Sequence, residues 1–341
     1  MSRPTVSDIG RAAGVSLATV DRVLNGRPGV RQTTIDRVHS AIKEIGYVRD
    51  VAAANLARSR QYRFVFVLPD SETSFLSTLG GAVEAMQATT IVDRTEVEVV
   101  RVPAADPHAL VRTLRGMEGS HTDGIAILAD ETPQLRDEIA RLRQRGVHVV
   151  TIVSDLPSTE RTHFIGIDGV AAGRTAAVLI GRFATERRGS VAVVANSLQS
   201  RETLERRLGF DEVMVRRFPH LHALPTMEVR DGTRTMRDTL RAVLRRDVTG
   251  LYCLGSGHRA LLEVLRDRAD RPVTVAHDLT ETAAEALRRG AIDAVISQDV
   301  EHIVRSAVRV LRAECDRHPI VRSQERIRIE IVLHENLPDR S

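Results

Sequence analysis

Thr5-Val6-Ser7-Asp8-Ile9-Gly10-Arg11-Ala12-Ala13-Gly14-Val15-Ser16-Leu17-Ala18-Thr19-Val20-Asp21-Arg22-Val23-Leu24-Asn25-Gly26 reads as two short helices joined by a tight turn. Thr5 and Asp8 have the spacing of a capping box, in which hydroxyl and carboxylate each satisfy the other residue's amide. Gly14 stops the first helix after Ala13, and Ser16 caps a second over Leu17 to about Leu24. Ile9, Ala13, Val15, Val20 and Val23 are the apolar positions that pack the pair at a steep angle. Small Ala12 and Ala13 permit close approach, which makes this a helix-turn-helix pattern. Ile35, Val38, Ala41, Ile42 and Ile45 recur at three- and four-residue spacing and predict a third helix from about Gln32 to Ile45, stopped by Gly46.

The charge is concentrated in the same region. Residues 1–60 hold ten Arg/Lys and five Asp/Glu, a net +5, against +4 for all 341 residues. A small basic module on a near-neutral body is the electrostatic footprint of a nucleic-acid binder. Lys43 is the only lysine, so phosphate contacts fall to arginines, which grip in a fork.

Thr5–Ser16, Ala18–Gly26, Val30–Thr34 and Ile45–Tyr47 together resemble the headpiece of the lactose-repressor (LacI) family of transcriptional regulators. The resemblance implies that the second helix enters the major groove of double-stranded DNA and that two copies act as a homodimer on a pseudo-palindromic operator with a central CG-type step. It places Thr5, Ser16, Leu17, Ala18, Thr19, Asp21, Arg22, Asn25 and Arg31 on the DNA side. Arg22 is expected to donate twice to a guanine, with Leu17 and Ala18 against thymine methyls. Ser16 and Thr19 hold phosphates or caps. Residues 49–61 resemble the family's hinge helix and linker. There Leu56 matches a leucine that wedges into the minor groove and Ala53 its small packing partner.

Beyond residue 62 the pattern changes to alternating strands and helices. Strands are expected at 64–68, 97–102, 124–129, 148–153, 164–167, 191–195, 250–254, 273–276 and 294–297, mostly with helices between them. The fold class is α/β: a three-helix headpiece (1–48) and a two-lobed, doubly wound body (62–341). The body resembles the periplasmic sugar-binding-protein fold that is attached to LacI-type headpieces. That resemblance implies an N-lobe of about 62–165 and 296–322, a C-lobe of about 166–295 and 323–337, and a small polyhydroxylated effector (a sugar, polyol or derivative) between them. Ser74, Phe75, Ser154, Asp155, Gly257, His277, Asp278 and Gln298 are its expected contacts. Asp155 and Asp278 would accept hydroxyl hydrogens, and His277 stands where relatives hold an aromatic ring.

A rival reading comes from Gly255-Ser256-Gly257-His258-Arg259-Ala260, which fits the G-x-G-x-x-A fingerprint, with Asp278 at the next strand end. It would make the chain an NAD(P)-dependent enzyme. Against it, the fingerprint falls late in the chain, and no nucleophile elbow, Walker loop or metal-ligand spacing accompanies it. The expectation is therefore a protein without catalytic residues, cofactor or metal. With no apolar run of about 20 residues, no secretion signal and only Cys253 and Cys315, a cytoplasmic location is expected. The chain ends soon after Pro338 without a heptad helix, which favours a dimer over a tetramer.

Overall fold

The computed structural model describes residues 4–24, 28–47, 61–71, 73–90, 94–104, 106–117, 121–184, 188–229, 233–244, 248–255, 257–266 and 268–338. The chain divides into two compact units, Met1–Arg60 and Gln61–Ser341. In the first, α1 (Val6–Ala13), α2 (Leu17–Leu24) and α3 (Gln32–Glu44) follow the expected order, α3 ending one residue early. The Thr5 amide donates to Asp8 Oδ2 at 2.8 Å and the Asp8 amide to Thr5 Oγ1 at 3.4 Å, closing the capping box. Gly14 takes φ 63°, a left-handed value that glycine adopts without a Cβ penalty. Ile9, Val20 and Val38 are fully buried, one from each helix, with Ala13 and Ala41 beside them.

The first lobe of the second unit begins with β1 (Tyr62–Asp70), α4 (Ser74–Thr90), β2 (Thr95–Pro103), α5 (Pro107–Gly116) and β3 (Gly124–Ile127). It continues with α6 (Pro133–Gln144), β4 (His148–Ile152) and β5 (His163–Ile165). The five strands are parallel, in the order β2-β1-β3-β4-β5. Along β1, Phe64, Phe66 and Leu68 enter one core cluster while Val65 and Val67 enter another. That two-residue alternation between two apolar faces is what a sheet covered on both sides requires.

The second lobe holds α7 (Gly169–Phe183), β6 (Gly189–Ala195), α8 (Arg201–Arg217), β7 (Leu221–Ala223), β8 (Met227–Glu228) and α9 (Thr233–Val243). Then come β9 (Val248–Cys253), α10 (His258–Leu265), β10 (Val273–His277), α11 (Glu281–Arg288) and β11 (Ala294–Gln298). The next helix, α12 (Val300–Asp316), returns to the first lobe, where Leu311 packs on Gly124 and the Tyr62 hydroxyl donates to Asp316 Oδ1 at 2.7 Å. β12 (Ile329–Val332) then pairs antiparallel with β11, completing the order β12-β11-β10-β9-β6-β7. The chain thus crosses between the lobes after β5, between β11 and α12, and between α12 and β12.

β11 lies wholly in the second sheet, so the middle crossing falls at Asp299, within the stretch 294–300 where the sequence reading expects it; Asp299 Oδ1 caps α12 by accepting the His302 amide at 2.7 Å. One detail differs from the sequence reading. The short strands β7, β8 and β12 were not foreseen, and β12 makes the second sheet mixed rather than purely parallel.

Candidate nucleic-acid interface and ligand cleft

On the head, Leu17, Ala18 and Arg22 are exposed, Leu17 to 54% of its surface, and Asp21 is half-buried beside them. They occupy one side of α2, opposite Val20, which is sealed into the core. A leucine kept in water at the start of a short helix, with an exposed arginine in its last turn, fits an apolar-plus-forked contact to base edges. Ser16 and Thr19 bind each other, hydroxyl to hydroxyl at 2.9 Å, and the Thr19 amide donates to Ser16 Oγ at 3.2 Å. The Thr5 hydroxyl donates to Asp8 Oδ2 at 2.7 Å, so this side chain is engaged in the cap. Arg31 is exposed ahead of α3. Asn25, Ala53 and Leu56 lie outside the described residues.

In the body, polar side chains gather at the carboxyl ends of the strands of both lobes, where α/β sheets bind ligands. Val153 and Asp278, the residues leaving β4 and β10, both take left-handed φ, 64° and 65°. For non-glycine residues such conformations cost about 1–3 kcal/mol each. Asp278 accepts from Gln298 Nε2 at 3.2 Å. Gln298 is 3% exposed, and its Oε1 is buried without a partner. Ser154 Oγ is likewise buried and unpartnered. Ser74 is exposed at the start of α4, and Phe75 lies half-buried against the core.

Three further side chains in this cluster were not picked out from the sequence. Arg206 on α8 is 2% exposed; it donates from Nη1 to the Leu254 carbonyl at 2.7 Å and leaves Nε unpartnered. Glu202, one turn earlier, has a buried Oε2 with no partner. Its carboxyl is pushed above the ordinary range by burial first, against the pull of Arg206 and with the negative charges of Asp278 and Asp130 adding to the rise. Asp130, just past β3, is raised by burial as well. The available signal was positional: Asp130 and Asp278 each follow a strand, and Glu202 and Arg206 sit four apart on the helix after β6.

Three expected contacts are engaged within the protein itself. The Asp155 carboxylate is taken by Arg161, whose Nη2 donates at 2.7 Å and whose Nε also binds it. It further accepts from Thr151 Oγ1 at 3.1 Å and the Leu156 amide at 2.8 Å. Most of its acceptor capacity is taken up within its own loop, three of the four bonds falling on Oδ1. His277 is 0% exposed; its Nε2 pairs with the Tyr252 hydroxyl at 2.7 Å, and its carbonyl with His258 Nε2 at 2.7 Å. Burial first, then Arg206 and His258, holds this imidazole well below its ordinary pKa, so it is a neutral brace behind Asp278. Gly257 turns at φ 122°, and Met236 fills the space a side chain would need, its Cε 2.7 Å from a Cβ placed there. This glycine serves the packing of α9 on the turn into α10.

Among the described residues no His/Cys/Asp/Glu group could hold a metal ion, and no helix is long and apolar enough to cross a membrane.

Comparison with known proteins places both parts of the chain. Residues 5–50 match the profile of bacterial regulatory proteins of the lacI family, and residues 64–318 that of the periplasmic binding protein domain. The HTH-type transcriptional regulator CelR of Thermobifida fusca is 22% identical over 326 residues, covering 88% of this chain and 94% of that one. Catabolite control protein A of Staphylococcus xylosus is 25% identical over 238 residues, 70% of this chain and 68% of that protein. With the catabolite control protein A of Priestia megaterium, 26% identical over 165 residues, the chain spans about half the relative's length (47%). Among solved structures, a solute-binding protein from Burkholderia graminis in complex with D-arabinose superposes with a TM-score of 0.72 at 20% identity, over 81% of this chain and 96% of that one. GanP, a glucose-galactose binding protein from Geobacillus stearothermophilus, superposes at 0.71 and 18% identity, over 82% and 99%. These relatives are regulators and binding proteins, and they lend no support to a nicotinamide-cofactor reading of Gly255–Ala260. The chain belongs to the lacI family of bacterial regulatory proteins, with a body of the periplasmic-binding-protein family.

Proposed function

We propose that this protein is a cytoplasmic transcriptional repressor that binds a pseudo-palindromic operator as a homodimer and releases or tightens it in response to a small polyhydroxylated effector held between the lobes. The observation that carries the reading is the set of buried, unpartnered polar atoms at the strand ends: Arg206 Nε, Glu202 Oε2, Gln298 Oε1 and Ser154 Oγ. A buried polar group without a partner costs about 1–3 kcal/mol. A cluster of such groups is tolerated where a ligand rich in hydroxyls supplies the missing bonds. The exposed Leu17–Arg22 face of α2 supports base readout by the head. Hinge residues Ala53 and Leu56 belong to the reading through the family resemblance.

The effector acts as a population shift. Two lobe arrangements are in equilibrium, and the ligand moves it by its differential affinity for them, with the same coupling seen from the operator side. Selection from a random duplex pool with the full chain, at stated salt, tests the first half. Enrichment of a palindrome with a central CG step is the expected result. Salt-sensitive binding without enrichment, both alone and with pooled sugars and polyols, would overturn it.

A further inference from the structure

His258 opens α10 within the Gly255–Ala260 segment, and it is buried, 5% exposed. Gly257, at φ 122°, turns the chain so that the helix starts on this buried residue. The ring Nε2 meets the His277 carbonyl at 2.7 Å, and Nδ1 meets the Thr280 hydroxyl at 3.2 Å. A carbonyl only accepts, so Nε2 carries the proton. Burial is the main cause that holds this imidazole below its ordinary pKa, so the ring is neutral and Nδ1 keeps a lone pair. The Thr280 hydroxyl therefore donates to Nδ1, while its oxygen accepts the Ala283 amide at 3.2 Å and caps α11. Donors and acceptors thus match along a chain that runs from the α11 cap through His258 to the last carbonyl of β10.

That carbonyl precedes Asp278, whose φ of 65° is left-handed. Such a residue persists only where its surroundings over-determine it. Three bonds come from β11: the Asp278 amide to the Ile296 carbonyl at 2.8 Å, Gln298 Nε2 to Asp278 Oδ1 at 3.2 Å, and the Leu279 amide to Ser297 Oγ at 3.2 Å. β10 lies between β9 and β11, and His258, on the helix that follows β9, grips it from the other side. Resting on the proposed effector-controlled function, we propose that His258 is a positioning residue for effector binding: its hydrogen bond to the His277 carbonyl holds Asp278 in the geometry that accepts ligand hydroxyls. It acts through Asp278 and not by contact with the ligand. An acceptor fixed before the ligand arrives spares the cost of ordering it on binding. The G-x-G-x-x-A pattern then has a role that needs no nucleotide.

The test uses the full-length protein. A thermal-shift screen of pentoses, hexoses and their polyols selects the compounds that stabilise the wild type, and calorimetric titration gives their affinities. In His258→Gln the side-chain nitrogen reaches as far as Nε2 and keeps the donor; in His258→Asn it reaches only as far as Nδ1. His258→Asn should bind about tenfold more weakly, the equivalent of one lost hydrogen bond, and His258→Gln should stay within about threefold of wild type. Titrations are run well below the melting temperature of each variant, with circular dichroism as the folding control. Nitrogen NMR of histidine-labelled protein should show the His258 ring protonated at Nε2, its signals assigned by their absence from His258→Gln. Equal affinity in both variants and wild type, an equal loss in both variants, or a ring protonated at Nδ1 would overturn the positioning role. The cleft reading stands in those cases if Arg206→Met weakens binding. If no compound in the panel binds, or binding is indifferent to both Gln298→Ala and Arg206→Met, the cleft reading falls and the positioning role with it.

Discussion

Arg22 and Arg206 show what burial does to the same side chain. Arg22 is exposed on α2, where a guanidinium can meet guanine O6 and N7 together. Arg22→Ala should relax preference at one base position by about 1–3 kcal/mol. Binding measured on a set of single-base operator variants checks this, and an equal loss on every sequence would mean a phosphate contact instead. Arg206 is enclosed, with its charge held by Glu202 and Asp278 against the cost of burial. Arg206→Met keeps the volume and removes the donors. The effector response should disappear while operator binding by the ligand-free protein remains, as read by operator titration with and without effector.

At the scale of elements, the pairing of α7 with α8 sets where Glu202 and Arg206 stand. The two helices touch backbone to backbone: a Cβ at Gly209 would run into the Val170 carbonyl, and one at Gly173 into the Arg206 carbonyl. Gly209→Ala should therefore destabilise the body by about 2 kcal/mol or more through overpacking. Gly81 in α4, with nothing within 4 Å of the corresponding point, is the control. Gly81→Ala should stabilise by about 0.5–1 kcal/mol, since alanine is the better helix former. Urea melts of the two variants check both signs. β10 offers a pH test. His277 and His258 are buried neutral with pKa values below the ordinary 6.5, burial being the main cause in each. The unfolded chain then binds more protons than the folded one below that value. The stability they contribute is complete above about pH 6.5 and is lost as pH falls toward the folded values. Glu202, raised above 4.5, works in the opposite sense. Comparing melts from pH 7.5 to about 5.5 for wild type and His277→Gln isolates the histidine, and the variant should show the shallower slope.

For the whole molecule, three crossings let each lobe finish with a segment distant in sequence, a helix for the first and a strand for the second. The α12 helix comes from beyond the second lobe to pack on β1, β3 and β4, and β12 returns to pair with β11. A ligand held across the strand ends of both lobes ties the two together. It should stabilise the body by about 2.7 kcal/mol at a hundredfold excess over its dissociation constant. Thermal melts against effector concentration check this, with Arg206→Met expected to lose the shift. An effector that leaves the melting curve unmoved at saturating concentration would place its site elsewhere.

The sequence by itself determined the head and the framework of the body. Caps such as Thr5–Asp8, breakers such as Gly14 and the alternation in Phe64–Leu68 act within a few residues, so their physics is local and legible. The two-lobed parallel architecture follows from nine such apolar runs separated mostly by helices. Only the tertiary structure decided which polar groups remain open to a ligand. Asp155 and Asp278 look alike in sequence, each just after a buried strand. Arg161, six residues on, takes the first, while the second meets Gln298 from another strand and Arg206 from a helix. Glu202 and Arg206 read as ordinary surface residues of a charged helix until the glycine contact with α7 and the end of β9 enclose them. Whether a charge is solvated, paired or left waiting depends on what distant strand ends bring to it, and that is settled by packing, not by neighbours in the chain.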